Sequence, residues 1–230
     1  MTSTPTLTRI VRNSILDAAA IVLPVRCAGC EAPDRALCGA CELALAPAVR
    51  HRTVHSLPVW SALEYDGVAR KVLLAFKDGG RVDAARPLAA ALRPAIAAAQ
   101  SETRARGGQT GGALLPVLIP STRAARRQRG YHPTGMVLAR SRILVPPLWR
   151  ALRLTRQTAD QAGLSGRERS ENRSGSLVAS PRLRGRSCLI VDDIVTTGAT
   201  LAEAARAVRS AGGEIVGAAT LAWTPLRGAG

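Results

Sequence analysis

Residues 187–200 read Ser187-Cys188-Leu189-Ile190-Val191-Asp192-Asp193-Ile194-Val195-Thr196-Thr197-Gly198-Ala199-Thr200. The run from Cys188 to Val191 is short and wholly apolar, as suits a strand buried on both faces of a parallel sheet. Asp192 and Asp193 stand where that strand is expected to end. Thr196 to Thr200 follow, with Gly198 free to adopt backbone angles closed to other residues. From Leu201 onward, Leu201, Ala204, Ala205 and Val208 recur at helical spacing, and Gly212-Gly213 stops the helix. Ile215 to Leu221 is a second apolar strand. Strand, loop, helix and strand in this order close as a right-handed crossover between parallel neighbours. The fold class that follows is α/β, a mostly parallel sheet flanked by helices.

The loop chemistry points to a ligand. Small residues between a strand end and a helix start leave backbone N–H groups directed outward. The helix dipole adds partial positive charge, so the position favours a phosphate. The hydroxyls of Thr196, Thr197 and Thr200 are further donors. Two carboxylates beside such a loop accept hydrogen bonds, and suit a pair of hydroxyls or a magnesium-bound polyol. A phosphate with an adjacent diol is a sugar phosphate. The plainer reading is that the acid pair only ends a strand and Thr200 only caps a helix.

Upstream, Cys27-x-x-Cys30 and Cys38-x-x-Cys41 form two knuckles separated by seven residues. Each spacing lets two thiolates face one centre, and four complete a tetrahedral zinc shell with no open position, hence a structural site. Gly29 and Gly39 suit the tight turns. Disulfides are disfavoured in the cytosol, and an iron–sulfur cluster is a second occupant that four cysteines satisfy. The fifth cysteine, Cys188, reads as a small core residue of the central strand. The organisation expected is a lead-in segment at 1–26, a zinc-binding module at 27–55 and an α/β domain at 56–230.

Formal charge is 32 − 16 = +16, and only Lys71 and Lys77 are lysine. A basic chain attracts polyanions such as diphosphate, nucleic acid or an anionic membrane, although an Arg- and Ala-rich bias of the genome would produce the same balance. Aromatic residues are 3% of the chain, which weakens any picture of a base-stacking platform. The apolar stretch Ile15 to Leu23 contains Asp17 and is too short to span a bilayer. It reads as an amphipathic lead-in helix, and the expected location is cytoplasmic.

Between these landmarks, Pro58 to Tyr65 reads as a strand turned by Asp66-Gly67. Val68 to Phe76 reads as a helix, with Lys77 complementing its C-terminal dipole. Asp83 to Ala99 is a second, Ala-rich helix, and Ser101 to Ala113 reads as a surface loop. Leu114 to Ile119 is a strand in which Pro116 argues for a sheet edge or bulge. It runs into Ser121, Thr122 and Arg123, hydroxyls and a guanidinium that could hold diphosphate. From Arg123 to Arg173 there are twelve Arg against Asp160, Glu168 and Glu171, so the net is 12 − 3 = +9.

The stretch Val191 to Thr200 resembles the phosphoribosyl-pyrophosphate (PRPP) binding motif of type I phosphoribosyltransferases. Joined to the four-cysteine module, to Pro120 with Arg129-Gly130-Tyr131, and to Arg153 through Gln161 with Arg169 and Asn172, it is similar to the ComF family (competence protein F-like). That resemblance runs from about Val22 to Ala222. It implies that Thr196, Thr197, Gly198, Ala199 and Thr200 cradle the 5-phosphate, and that Asp192 and Asp193 face the ribose hydroxyls. It further implies a PRPP-covering flap over 152–177 with Arg153, Arg156, Gln161, Arg169 and Asn172. The implied reaction is magnesium-assisted transfer of phosphoribosyl to a nitrogen nucleophile of a nucleobase-like acceptor, with release of diphosphate. The same resemblance implies a role in DNA uptake, with single-stranded DNA and a helicase-like competence protein as partners. A PRPP sensor or scaffold without turnover is a further reading. His132-Pro133 replaces the Asn-Gln common in the family, which bears on acceptor identity if that pair touches the acceptor.

Overall fold

The computed structural model describes residues 25–33, 35–105, 113–148, 150–155 and 175–225. The lead-in helix expected at Ile15 to Leu23 lies outside them. Chain order begins with α1 (Gly39–Ala44), β1 (Arg50–Val54), β2 (Leu57–Glu64), α2 (Gly67–Lys77) and α3 (Ala85–Ala105). It continues with β3 (Leu115–Leu118), α4 (Arg123–Arg129), α5 (Pro133–Ser141), β4 (Leu152–Leu154) and β5 (Leu177–Ala179). The deciding stretch then supplies β6 (Ser187–Val195), α6 (Ala199–Ser210) and β7 (Glu214–Trp223).

Five strands form one sheet in the order β1-β2-β7-β6-β3. β2, β7, β6 and β3 are mutually parallel, and only β1 runs antiparallel, against β2. This is the mostly parallel α/β sheet expected. Side chains of β6 alternate: Leu189 and Val191 join the core beneath α2, α3 and α5, while Cys188 and Ile190 join the core beneath α6. Burial on both faces is why this strand reads as an unbroken apolar run rather than an alternating one. Cys188 is fully buried, as a core residue should be. Pro116 sits in β3, the sheet's edge strand, where a missing N–H leaves no ladder partner stranded.

Three elements depart from expectation. β6 does not stop before the acid pair but runs through it to Val195, with Asp192 in register with Thr220. The helix α3 carries through Ser101 to Ala105, where a loop was expected. Thr103 is accommodated there by donating its hydroxyl to the Ala99 carbonyl at 2.7 Å. β1 had no apolar signal at all, because Arg50, His51, Arg52 and Thr53 pair through their backbone at a sheet edge. Its side chains instead use rings: Arg50 and Arg52 lie over Trp223 at 4.3 and 5.0 Å, and His51 lies 4.9 Å from Trp60. The β1–β2 turn is His55-Ser56, both at positive φ (48° and 63°), a tight hairpin without the glycine that would announce it.

The cysteine-bearing segment docks on the α2/α3 side. Leu45 enters that core, and Ala28 and Leu37 pack against it. Arg81 ties the segment down, donating to the carbonyls of Arg26 (2.6 Å) and Ala36 (3.0 Å) while pairing with Asp83.

On the opposite side, β4 and β5 form a two-stranded antiparallel sheet. The buried carboxylate of Glu203 on α6 accepts from the Leu177 N–H at 2.9 Å, and Arg206 donates to the Leu177 carbonyl at 3.0 Å and to Glu203 at 2.7 Å. Burial raises the Glu203 carboxyl, but the Arg206 and Leu177 bonds outweigh it and hold the group below its ordinary range. The stability it adds is therefore present above the ordinary glutamate range and lost as pH falls through the lowered value. Glu203→Ala strands a backbone donor and a guanidinium, and should lower unfolding free energy by roughly 2–4 kcal/mol. Denaturant titration checks this; a loss confined to the surface-mutation range would show that β5 is held by other contacts.

Candidate functional site

Two sites are built at separate places. In the first, the Sγ atoms of Cys27, Cys30, Cys38 and Cys41 all lie within 4.8 Å of one another. A tetrahedron of sulfurs about zinc has edges of about 3.8 Å, and Cys30 and Cys38 stand 3.6 Å apart. The backbone N–H groups of Gly29 and Cys38 both donate to the Cys27 sulfur at 3.4 Å. Burial pushes the Cys27 thiol up, but the backbone donors outweigh it and bring it down to about 6, whereas burial and the neighbouring thiols push the Cys41 thiol well up. Four cysteines are thus positioned to bind a metal. Of the two glycines, Gly29 is needed for close approach, since a Cβ there would meet the Cys41 sulfur at 2.6 Å. Gly39 has open space around it and begins a helix, so no tight turn depends on it.

The second site lies at the C-terminal ends of the parallel strands. Asp192 and Asp193 project from the end of β6, both partly buried. The alternation of β6 slips across them, for Ile194 packs with the α2/α3 core and Val195 with the α6 core. The Asp193 N–H donates to Asp192 Oδ1 at 2.9 Å. Beside Asp192 in register stands Thr220, whose hydroxyl is bonded to Ser61 on β2 at 2.8 Å. Burial first, and then the like charge of Asp193, push the Asp192 carboxyl up to about 8.

Lys77 completes the pair. Its Nζ lies 2.7 Å from Asp193 Oδ2. The sequence offered the ordinary helix-end reading for this lysine; it does close the last turn of α2, and the structure adds the ion pair. Two ties hold the end of α2 in place: the Tyr131 hydroxyl donates to the Phe76 carbonyl, and Arg129 pairs with Asp78 at 2.8 Å. The Arg-Gly-Tyr stretch thus positions Lys77. His132 is similarly occupied. Its Nδ1 accepts from the Gly135 N–H (3.1 Å) at the start of α5, which leaves Nε2–H to donate to the Ile119 carbonyl at 3.0 Å. Burial lowers its pKa, so the ring is a neutral strut between β3 and α5. With both nitrogens engaged, His132 has none to offer an acceptor.

Directly after β6, Thr196 and Thr197 are exposed, and Gly198 turns into α6 at φ +79° as its N-cap. Gly198 brings no side chain to this helix start, where the Thr197 hydroxyl accepts from the Ala199 N–H at 3.4 Å. Gly198 itself is buried. The β1–β2 turn covers it, and His55 Nε2 lies 3.1 Å from the Thr197 carbonyl. Ala199 opens the helix, and Thr200 stands in its first turn. On the other flank, Ser121 and Thr122 follow the end of β3, with the Thr122 hydroxyl accepting from Ala125 N–H to cap α4, whose first residue is Arg123. The strand ends therefore bring together the acid pair, the Thr-Thr-Gly-Ala-Thr loop and the Ser121–Arg123 corner. Of the flap residues, Arg153 is exposed on β4, whereas Arg156, Gln161, Arg169 and Asn172 lie outside the described residues.

Residues 137–229, which hold this acid pair and loop, match the phosphoribosyl transferase domain family. A 103-residue stretch is 33% identical to the DNA utilization protein YhgH of Escherichia coli, and 32% identical to that of Shigella flexneri. Over residues 137–229 the chain is thus similar to the phosphoribosyl transferase domain family, and the four-cysteine module lies before that match. The match to these relatives covers 43% of this chain and 45% of theirs, so the chain spans less than half the length of the curated relatives it matches. A 51-residue stretch is 39% identical to an orotate phosphoribosyltransferase of Pyrobaculum islandicum, covering 22% of this chain and 26% of that protein. Among the described residues no helix is long and apolar enough to cross a membrane.

Proposed function

We propose that the ComF-like domain binds PRPP with magnesium and transfers its phosphoribosyl group to a nucleobase-like acceptor, releasing diphosphate. The observation that carries this reading is the adjacency, at the C-terminal ends of the parallel strands, of a glycine-led helix start and a carboxyl pair. The Thr196–Thr200 loop takes the 5-phosphate, Asp192 and Asp193 hold the ribose 2- and 3-hydroxyls, and Ser121, Thr122 and Arg123 receive the diphosphate. Magnesium, when bound with PRPP, supplies charge neutralisation for the departing diphosphate. Zinc occupies the four-cysteine site as a structural ion. The deciding experiment is a PRPP-dependent diphosphate-release screen across nucleobases. Tight PRPP binding with no release for any acceptor would leave the sensor or scaffold role in its place.

Asp192→Asn and Asp193→Asn separate holding from catalysis. If the pair only bonds hydroxyls, amides partly substitute, and PRPP binding should weaken by roughly 1–3 kcal/mol. If a carboxylate also stabilises positive charge developing on the ribose, single-turnover rate falls further than affinity, because that interaction strengthens only in the transition state. Equal losses in rate and affinity would remove the charge-stabilising role.

The similarity to DNA utilization proteins favours a second reading, a role with DNA, which the net charge of +9 over 123–173 would suit. Single-strand binding that weakens steeply with salt supports it. A helicase-like partner rests on the family resemblance alone.

A further inference from the structure

We propose that Lys77 is a substrate-binding residue of this site, holding Asp193 in the absence of ligand and turning its ammonium to the diphosphate at ribose C1 when ligand displaces it. The inference rests on the PRPP reading and names a residue that reading leaves out.

Three observations carry it. The first is the spatial order of the parts. The phosphate loop is flanked by the β1–β2 turn, through Val54, His55 and Thr197. Lys77 belongs to the other flank, where Phe76 and Asp78 on either side of it are tied to Tyr131 and Arg129. Those partners continue from the Ser121–Arg123 corner through α4. Loop, acid pair and Lys77 therefore lie in the order in which a ribose presents its 5-phosphate, its hydroxyl pair and its C1 substituent. A lysine stem pivoting from the carboxylate that holds a ribose hydroxyl swings toward C1.

The second is electrostatic need. Asp193 is mostly buried, and Lys77 is its salt-bridge partner at 2.7 Å, with their side chains 19% and 21% exposed. When a hydroxyl takes over Asp193 Oδ2, the ammonium loses its counter-charge in a partly desolvated place. An anion brought by the same ligand restores that balance. A ribose bearing only a 5-phosphate brings its charge to the loop flank, whereas one bearing diphosphate at C1 brings it to Lys77.

The third is the choice of residue. Thirty of the thirty-two basic residues are Arg, yet this position is one of the two lysines. A guanidinium would lock onto the carboxylate through two parallel bonds. An ammonium is a point charge on a flexible stem, and it can exchange one oxygen partner for another.

The test is calorimetric titration of the parent protein, Lys77→Met and Lys77→Arg with two probes, PRPP plus magnesium and ribose 5-phosphate. For Lys77→Met the expected result is PRPP binding weaker by roughly tenfold or more, with ribose 5-phosphate within about threefold of the parent or tighter, since Asp193 is then free of competition. Lys77→Arg should recover part of the PRPP affinity. Because Lys77→Met leaves Asp193 unpaired, the double variant with Asp193→Asn provides a neutral pair. Compared with Asp193→Asn alone, it should show the same selective loss of PRPP. Equal losses for both probes would overturn the proposal and leave Lys77 as a counter-ion that only shapes the site. A parent that binds neither probe removes the PRPP reading itself, and the proposal with it. A parent that binds both, together with an unaffected Lys77→Met, overturns the proposal alone.

Discussion

Protein purified without added metal should contain about one zinc per chain, and stripping it, or replacing Cys30 with Ser, should release the segment around Cys27 to Cys41. Structural zinc contributes roughly 10–16 kcal/mol of binding free energy in small finger peptides at neutral pH, and that energy is folding energy. Here the segment has little else of its own, for α1 is a six-residue helix with no side-chain cap. Its tertiary anchors are Leu45, the packing of Ala28 and Leu37, and the Arg81 clasp on the Arg26 and Ala36 carbonyls. Those anchors need the loop conformation that the four sulfurs impose. Cleavage by protease should therefore begin within the cysteine segment after chelation, while the five-strand sheet stays folded. Elemental analysis, together with the melting temperature before and after chelation, reads the outcome. Iron with sulfide, or a well-folded chain free of metal, would refute the zinc assignment.

Gly198→Val should both unfold the loop and abolish PRPP binding. Sequence alone places Gly198 in a surface loop where a side chain would only obstruct phosphate. The structure shows instead that a Cβ here would meet Val54 Cγ1 at 2.1 Å, in a residue already at φ +79°. Overpacking and left-handed backbone strain together should cost roughly 3–5 kcal/mol, a drop of roughly 10 °C in Tm for a chain of this size. A loss of binding in that variant alone would not separate phosphate recognition from misfolding. Gly198→Ala in a Val54→Ala background does, because removing the Val54 methyls leaves its Cβ at 3.3 Å as the nearest atom. That double variant should regain most of the stability and still bind PRPP more weakly, since the loop backbone must leave its glycine conformation. Calorimetric affinity equal to the parent's in the double variant would sink the phosphate-loop assignment. An unchanged melting temperature for Gly198→Val would sink the packing account.

The parts of this protein legible in sequence are those whose physics is local or periodic. A wholly apolar run of a few residues followed by two acids, small polar residues and helical spacing specifies strand, loop and helix wherever it folds. β6, α6 and β7 accordingly lie within a few residues of where their pattern puts them. Paired Cys-x-x-Cys spacings bring sulfurs together through short loops, and the four do converge. Pro116 announced an edge or a bulge, because a missing N–H excludes the regular centre of a sheet, and its strand is at the edge. What sequence could not disclose depends on residues far apart in the chain. β1 carries no apolar pattern, since an edge strand is held by backbone pairing and by Arg side chains resting on Trp223, 171 residues beyond Arg52. That hairpin is what buries Gly198. Lys77 looked like an ordinary helix-end cation, and its scarcity in an Arg-rich chain was the one available signal. Only the crossover from β2 through α2 and α3 to β3 carries it to within 2.7 Å of Asp193, 116 positions away. Local chemistry names the groups proposed to bind a phosphorylated ribose; closure of the sheet decides which cation faces which carboxylate, because that pairing is set by non-local contacts that no periodicity encodes.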